Sequence, residues 1–256
     1  MKKTLILLFI PIILLSHKLC AQQRDIYQIK TYLMNTPQQV ETTENFLKDA
    51  YLPALKRLGI KSVGVFKPKT IDADSIKKVM VLIPFSSLEQ FSGLESQLSN
   101  DNTYATAGAA YLNAPHNNKP YLRIESVLLE AFRGRTNIKP SPLSNSREER
   151  VYELRSYESY SEAILQNKID MFHAGEFELF DSLDFNAVFY AEVISGPKMP
   201  NLMYMTTFAN QESRDAHWKA FFASPEWKVL SAKPEFKNNV SKNDILFLTP
   251  TDYSDY

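Results

Sequence analysis

The chain has 256 residues, 44% of them hydrophobic, and carries 29 Lys and Arg against 29 Asp and Glu. A chain of this length can bury one large core or two small ones. The balanced charge argues against nucleic acid as a partner, and no run of like charges marks an interaction tail.

The first residues read as a targeting segment. Met1-Lys2-Lys3 is a basic start, followed by the apolar run Leu5–Leu15 and by Leu19-Cys20-Ala21 before Gln22. This is the layout of a secretory signal peptide over residues 1–21, with Ala21 the last residue removed. The apolar run is too short to span a bilayer comfortably, so the mature chain is expected to be periplasmic or extracellular with no transmembrane segment. Acylation of Cys20 is the alternative, although Lys18 and Leu19 are not the residues such a site favours. If Cys20 leaves with the signal, the mature chain has no cysteine. Disulfides, thiolate catalysis and cysteine metal sites are then excluded.

The mature chain opens on a strand pattern, Ile26–Tyr32, with a helical stripe through Leu47, Leu55 and Leu58 behind it. Strands follow at Val63–Lys67 and Lys78–Phe85, separated by the polar spacer Lys69–Ser75. A broken helical region, Ser87–Asn113, and a long apolar strand, Tyr121–Phe132, complete the first unit. Gly134–Glu149 holds Pro140, Pro142 and several Ser and Asn residues, and reads as a linker.

The same order then returns. Val151–Tyr157 is a strand and Glu162–Leu183 a helix; Asn186–Phe208 is a hairpin interrupted by Ser195-Gly196-Pro197-Lys198-Met199-Pro200. A second helical region around Ser213–Leu230 and a strand at Asp244–Leu248 close the unit. Shifted by 125 positions, Ile26–Tyr32 falls on Val151–Tyr157, Leu47 on Phe172, Leu55 on Phe180 and Leu58 on Leu183, without a gap. This predicts an internal duplication. The expected fold is α+β: tandem ferredoxin-like β-α-β-β-α-β modules over residues 22–133 and 150–256, joined by a linker at 134–149.

Strand parity separates two faces. Tyr152 and Leu154 point one way, and Glu153, Arg155 and Tyr157 the other. In the first unit, Tyr27 and Ile29 oppose Gln28, Lys30 and Tyr32; in the hairpin, Phe189, Ala191 and Val193 oppose Val188, Tyr190 and Glu192. The apolar set is expected against the helices. The mixed set would then line a pocket between two sheets closed into a barrel.

The run Val151–Tyr157, Val188-Phe189-Tyr190, Gly196-Pro197 and Leu202-Met203-Tyr204-Met205 resemble the NIPSNAP family. So do His217-Trp218 with Phe221, Ser224-Pro225-Glu226-Trp227 and the closing Pro250–Tyr256. The resemblance covers about 151–256 and is weaker over 26–132. It implies the dimeric α/β-barrel type of ferredoxin-like fold and no particular chemistry.

Candidate ligand-binding residues follow from parity and from one helix face: Glu153, Arg155, Tyr157, Tyr190 and Glu192 in the pocket, with His173 and Glu176 at i, i+3 near its rim. No catalytic residue is assigned, and neither a cofactor nor a metal is expected. His116, His173 and His217 are scattered, without the spacing of a metal site, and there is no phosphate-binding glycine loop or nucleophile elbow. The reading is a non-catalytic module for a small-molecule or protein partner, with homo-oligomers possible. A barrel enzyme of monooxygenase or haem-degrading type is the alternative that the fold allows.

Overall fold

The computed structural model describes residues 23–69, 76–139 and 141–256. The expected signal peptide, including Cys20, lies outside the described residues. Strands β1 Ile26–Met34, β2 Gly64–Pro68, β3 Lys77–Phe85 and β4 Arg123–Ala131 come from the first half. Strands β5 Val151–Glu158, β6 Ala187–Ser195, β7 Asn201–Phe208 and β8 Lys242–Pro250 come from the second. They close into one antiparallel barrel in the order β1-β3-β2-β8-β5-β7-β6-β4. Each half therefore contributes its strands in the same order, and two seams join the halves. One is Phe66–Pro68 of β2 on Leu248–Pro250 of β8. The other pairs Leu128–Ala131 of β4 with Ala191–Ser195 of β6, with a bulge at Leu128/Leu129.

Helices cover the outer faces. In the first half α1 Pro37–Phe46 runs through a π turn, Leu47–Tyr51, into α2 Leu52–Arg57. The broken region resolves into α3 Leu88–Ser99, α4 Asn102–Ala107 and α5 Ala109–Leu112. In the second half α6 Glu162–Met171 continues through a π turn, Phe172–Glu176, into α7 Phe177–Ser182. The two π turns stand 125 residues apart (172 − 47), as do the starts of β5 and β1 (151 − 26). The cover ends with α8 Gln211–Ala223 and α9 Pro225–Ala232. Side-chain caps set the helix starts: Ser161 receives the Ile164 N–H, Asn210 that of Ser213 and Ser224 that of Trp227. Pro225 follows its cap at the first helical position, where a missing N–H costs nothing.

The core has three parts. Tyr32, Val81 and Ile83 pack under the first half's helices with Leu47, Leu55 and Leu94. Phe172, Phe180, Tyr204, Trp218 and Phe221 pack under those of the second. Between them the barrel interior is filled from all eight strands, with Tyr27, Ile29, Phe66, Leu82, Leu129, Tyr152, Leu154, Phe189, Met205 and Leu248 among its residues. Aromatic pairs cross between the halves there: Phe66 with Tyr152 at 5.1 Å and Tyr27 with Phe189 at 5.4 Å between ring centroids. Tyr256 folds back into the same space beside Phe66.

This arrangement exchanges the two faces expected from the sequence. The apolar alternates Tyr152 and Leu154 point into the barrel, and Glu153, Arg155, Tyr157 and Tyr190 lie under the second half's helices. The reason is closure. The closed barrel interior takes the uncharged, more apolar set, including Tyr152 and Tyr256, whose hydroxyls are buried there without a partner. The helix–sheet layer has open ends, where long polar side chains can pair and reach solvent. Among the described residues, Glu153, Arg155, Tyr157 and Tyr190 therefore line no pocket between the two sheets.

Gly134–Arg150 has neither helix nor strand among its described residues. It is nonetheless tied down: Lys139 N–H donates to Val188 O, Asn145 Nδ2 to Ala209 O and Arg147 Nη1 to Ser254 O. No helix of the described residues is long and apolar enough to cross a membrane.

Candidate functional site

Strand β5 carries a polar row on its helix-facing side. Glu153 is fully buried and accepts four hydrogen bonds, filling a carboxylate's acceptor positions. Its Oε1 takes Arg155 Nε at 2.6 Å and Arg214 Nη2 at 3.0 Å; its Oε2 takes Arg214 Nε at 2.8 Å and Trp218 Nε1 at 2.9 Å. Burial pushes the carboxyl upward, but the Arg214 hydrogen bonds, the Arg155 charge and the Trp218 N–H outweigh it and hold Glu153 below the usual carboxylate range. It is an anion at neutral pH.

Arg155 lies two residues on and stacks its guanidinium 3.7 Å from the Trp218 ring centroid. Its Nη1 donates to Tyr157 Oη at 2.7 Å, and Tyr157 Oη shares a hydrogen bond with Tyr204 Oη at 2.9 Å. Burial works against the charge on Arg155, but the facing phenols of Tyr204 and Tyr157 and the Glu153 carboxylate over-compensate. Among the described residues, Nη2 has no hydrogen-bond partner.

Helix α6 adds a second buried cation. Lys168 donates to Glu176 Oε2 at 2.7 Å, lies 3.6 Å from Met171 Sδ and sits over the Phe172 ring at 4.6 Å. The π turn brings this pair together. Gly175 takes a φ of 142°, open to glycine, and Glu176 turns inward while His173 stays outside.

These groups meet at a cleft of about 420 Å³ between the sheet and the helices of the second half. Arg155, Tyr157, Lys168 and Glu176 are among its polar lining residues, with Ser231, Asn238 and Asn243, and Trp218 and Trp227 are among its aromatic ones. Volume and composition suit a small organic molecule.

The remaining expected residues go elsewhere. Tyr190 is buried in the aromatic layer, stacked on Tyr204 at 5.7 Å, its hydroxyl unpartnered. His173 is exposed and packs its ring on Phe177 at 5.1 Å, so it forms no pair with Glu176. Glu192 faces Glu130 across the β4–β6 seam, where Arg24 pairs with Glu130. Burial, then the neighbouring Glu130, raises the Glu192 carboxyl above its ordinary value. His173 and Glu192 share a separate cavity of about 590 Å³ with Arg24 and Asp170. No group of three or more His, Cys, Asp or Glu among the described residues is placed to hold a metal.

Parity alone did not select Lys168, Tyr204, Arg214 and Trp218. Two signals were available: Lys168 stands in the α6 stripe between Leu165 and Phe172, and Arg214 and Trp218 are four apart on one helix face. In the first half, Lys30 and Gln28 stand 125 residues before Arg155 and Glu153. Gln28 donates to Ser126 Oγ at 2.8 Å, and Lys30 lies 5.1 Å from the Tyr51 ring with no ion pair among the described residues. Among the described residues, only the second half pairs this buried strand cation with a carboxylate.

The polar row, the Trp218 contact and the cleft all fall in one stretch of the chain. Residues 152–255 match the NIPSNAP family. No curated protein sequence matches the chain. Over nearly its full length the fold is similar to that of a candidate monooxygenase from Fusobacterium nucleatum, with a TM-score of 0.57, 6% identity, and 90% of this chain and 93% of that one covered. It is similar also to a candidate monooxygenase from Lactobacillus acidophilus, with a TM-score of 0.54, 12% identity, and 89% and 94% covered. An anthrone oxidase-like protein gives a TM-score of 0.52 at 9% identity, with 90% and 92% covered. At such identities the likeness is one of fold.

Proposed function

We infer that the protein is an exported, non-catalytic binding module, a tandem duplication of one ferredoxin-like unit in which the NIPSNAP half carries the ligand site. The observation that carries the reading is the cleft of about 420 Å³ that opens on a buried guanidinium with a spare N–H face. Arg155 lines that cleft, and its Nη2 has no protein acceptor among the described residues, so a ligand in the cleft can take it. The shared strand order and the two π turns 125 residues apart support the duplication. The basic and apolar start supports export.

The chain has two tryptophans, Trp218 and Trp227, and both line the cleft. Titration with planar aromatic molecules should therefore change the intrinsic fluorescence saturably. Ser231→Phe, which narrows the cleft from α9, should abolish the change while the melting temperature holds. Binding that survives Ser231→Phe would place the ligand elsewhere. Oxygen consumption with the same molecules would replace the binding module with an oxygenase, the activity for which two of the fold neighbours are candidates.

A further inference from the structure

We propose that the ligand of this cleft is a planar monoanion, an aromatic carboxylate, held by Arg155 Nη2 with Lys168 alongside. The inference rests on the binding reading above and adds the charge of the ligand.

Three cations, Arg155, Arg214 and Lys168, stand beneath or beside the helices against two buried carboxylates, Glu153 and Glu176. Asp215 is the third carboxylate near them, but its side chain is 58% exposed, and its Oδ1 accepts from Arg214 Nη1 and from Gln211 Nε2, each at 2.9 Å. Its charge is largely screened from the cleft. Glu153 has no acceptor position left: four N–H groups occupy it. Tyr157 Oη already receives Arg155 Nη1 and is bonded to Tyr204 Oη. Glu176 faces Lys168.

The carboxylates and phenols around Arg155 are therefore already committed, and the side chain faces a cleft that it lines with Ser231, Asn238 and Asn243. Arg155 is 6% and Lys168 3% exposed, so water screens neither well. An oxyanion arriving in the cleft would meet a desolvated guanidinium already fixed in plane by Glu153, Tyr157 and the Trp218 ring, so little ordering cost remains. A cation would meet two buried positive charges. A neutral molecule would gain the aromatic walls and leave the surplus charge uncompensated. The walls ask for a flat ring system next to the oxyanion. The first half has no such constellation, since Gln28 replaces the carboxylate that orients the cation.

The test is calorimetric titration of the whole mature chain with three molecules of one shape: 2-naphthoate, 2-naphthalenemethanol and 2-naphthylmethylammonium. The expected result is naphthoate binding at least tenfold tighter than the alcohol, with the ammonium weakest. In Arg155→Met the ratio of naphthoate to alcohol should fall toward one; in Lys30→Met it should not change. Should Arg155→Met fail to fold, Arg155→Lys keeps the charge but loses the Nη2 donor and should lose most of the preference. Equal binding of acid and alcohol, or preference for the ammonium, overturns the anion proposal. If Ser231→Phe still abolishes that binding, the cleft reading survives its loss. An acid preference retained in full by the Arg155 variants also overturns it. Binding of none of the three at millimolar concentration overturns both.

Discussion

Glu153→Gln is the sharpest single perturbation of the network. Glu153 is fully buried and receives four N–H donors between 2.6 and 3.0 Å. Glutamine offers one acceptor oxygen and places an NH₂ where the other oxygen stood, so part of the network must face donor against donor. It also leaves Arg155, 6% exposed, without its carboxylate. Breaking one side of a buried ion pair costs about 3–5 kcal/mol. For a chain of this size each kcal/mol lowers the melting temperature by roughly 2–4 °C, so a fall of about 6–20 °C is expected. The sign with pH follows from the depressed Glu153 carboxyl. Between its folded value and the ordinary value of about 4.3, the unfolded chain binds more protons and stability rises with pH. The wild-type advantage over Glu153→Gln is therefore full above that ordinary value and fades as pH falls through the folded one. Urea unfolding followed by circular dichroism at pH 7 and in steps down to pH 3 measures both effects. A cost below about 1 kcal/mol at neutral pH, or a gap that widens in acid, would refute the account of a buried, ionised Glu153.

Other expectations follow from the same geometry. Tyr152→Ala should open a cavity in the barrel interior, where the ring meets Phe66 and Tyr256, and cost about 3–5 kcal/mol in chemical denaturation. Its ligand affinity should stay unchanged, because Tyr152 points away from the cleft. Lys30→Met should raise stability at pH 7: burial lowers the Lys30 pKa, so the folded state resists its charge. That gain should shrink as pH rises toward the ordinary lysine value, where the unfolded chain also sheds the proton. Gly175→Ala has room for its methyl, with Leu230 Cδ2 at 3.8 Å, but not the backbone freedom for a φ of 142°. A loss of about 1–3 kcal/mol is expected, with weaker binding as Glu176 shifts. N-terminal sequencing of protein from its native host should begin at or near Gln22; a retained Met1 or an acylated Cys20 would contradict export through a cleaved signal.

The order of strands and helices was legible because periodicity and turn chemistry are local, and so was the 125-residue offset. The π turns were not: a five-residue turn leaves the apolar stripe nearly intact, and only Gly175 hinted at one. Alternation along β5 correctly grouped Tyr152 with Leu154, and Glu153 with Arg155 and Tyr157. It could not say which group faces the helices, because a closed barrel covers both faces. The same ambiguity hid the cleft. Arg155 is recognisable in the sequence as a charge on a covered strand. The other two donors to Glu153, Arg214 and Trp218, lie about sixty residues away on α8, and only the packing of that helix on β5 brings them to it. Glu192 shares a parity with Tyr190, yet its place at the seam beside Glu130 depends on barrel closure, which is a property of both halves together.

A crystal structure of the protein soaked with 2-naphthoate tests the central claim most directly. The account predicts the ring in the cleft against its aromatic walls and the carboxylate within hydrogen-bond distance of Arg155 Nη2. Naphthoate in the barrel interior, at the β4–β6 seam beside Glu192, or in the cleft with its carboxylate turned away from Arg155 would contradict it.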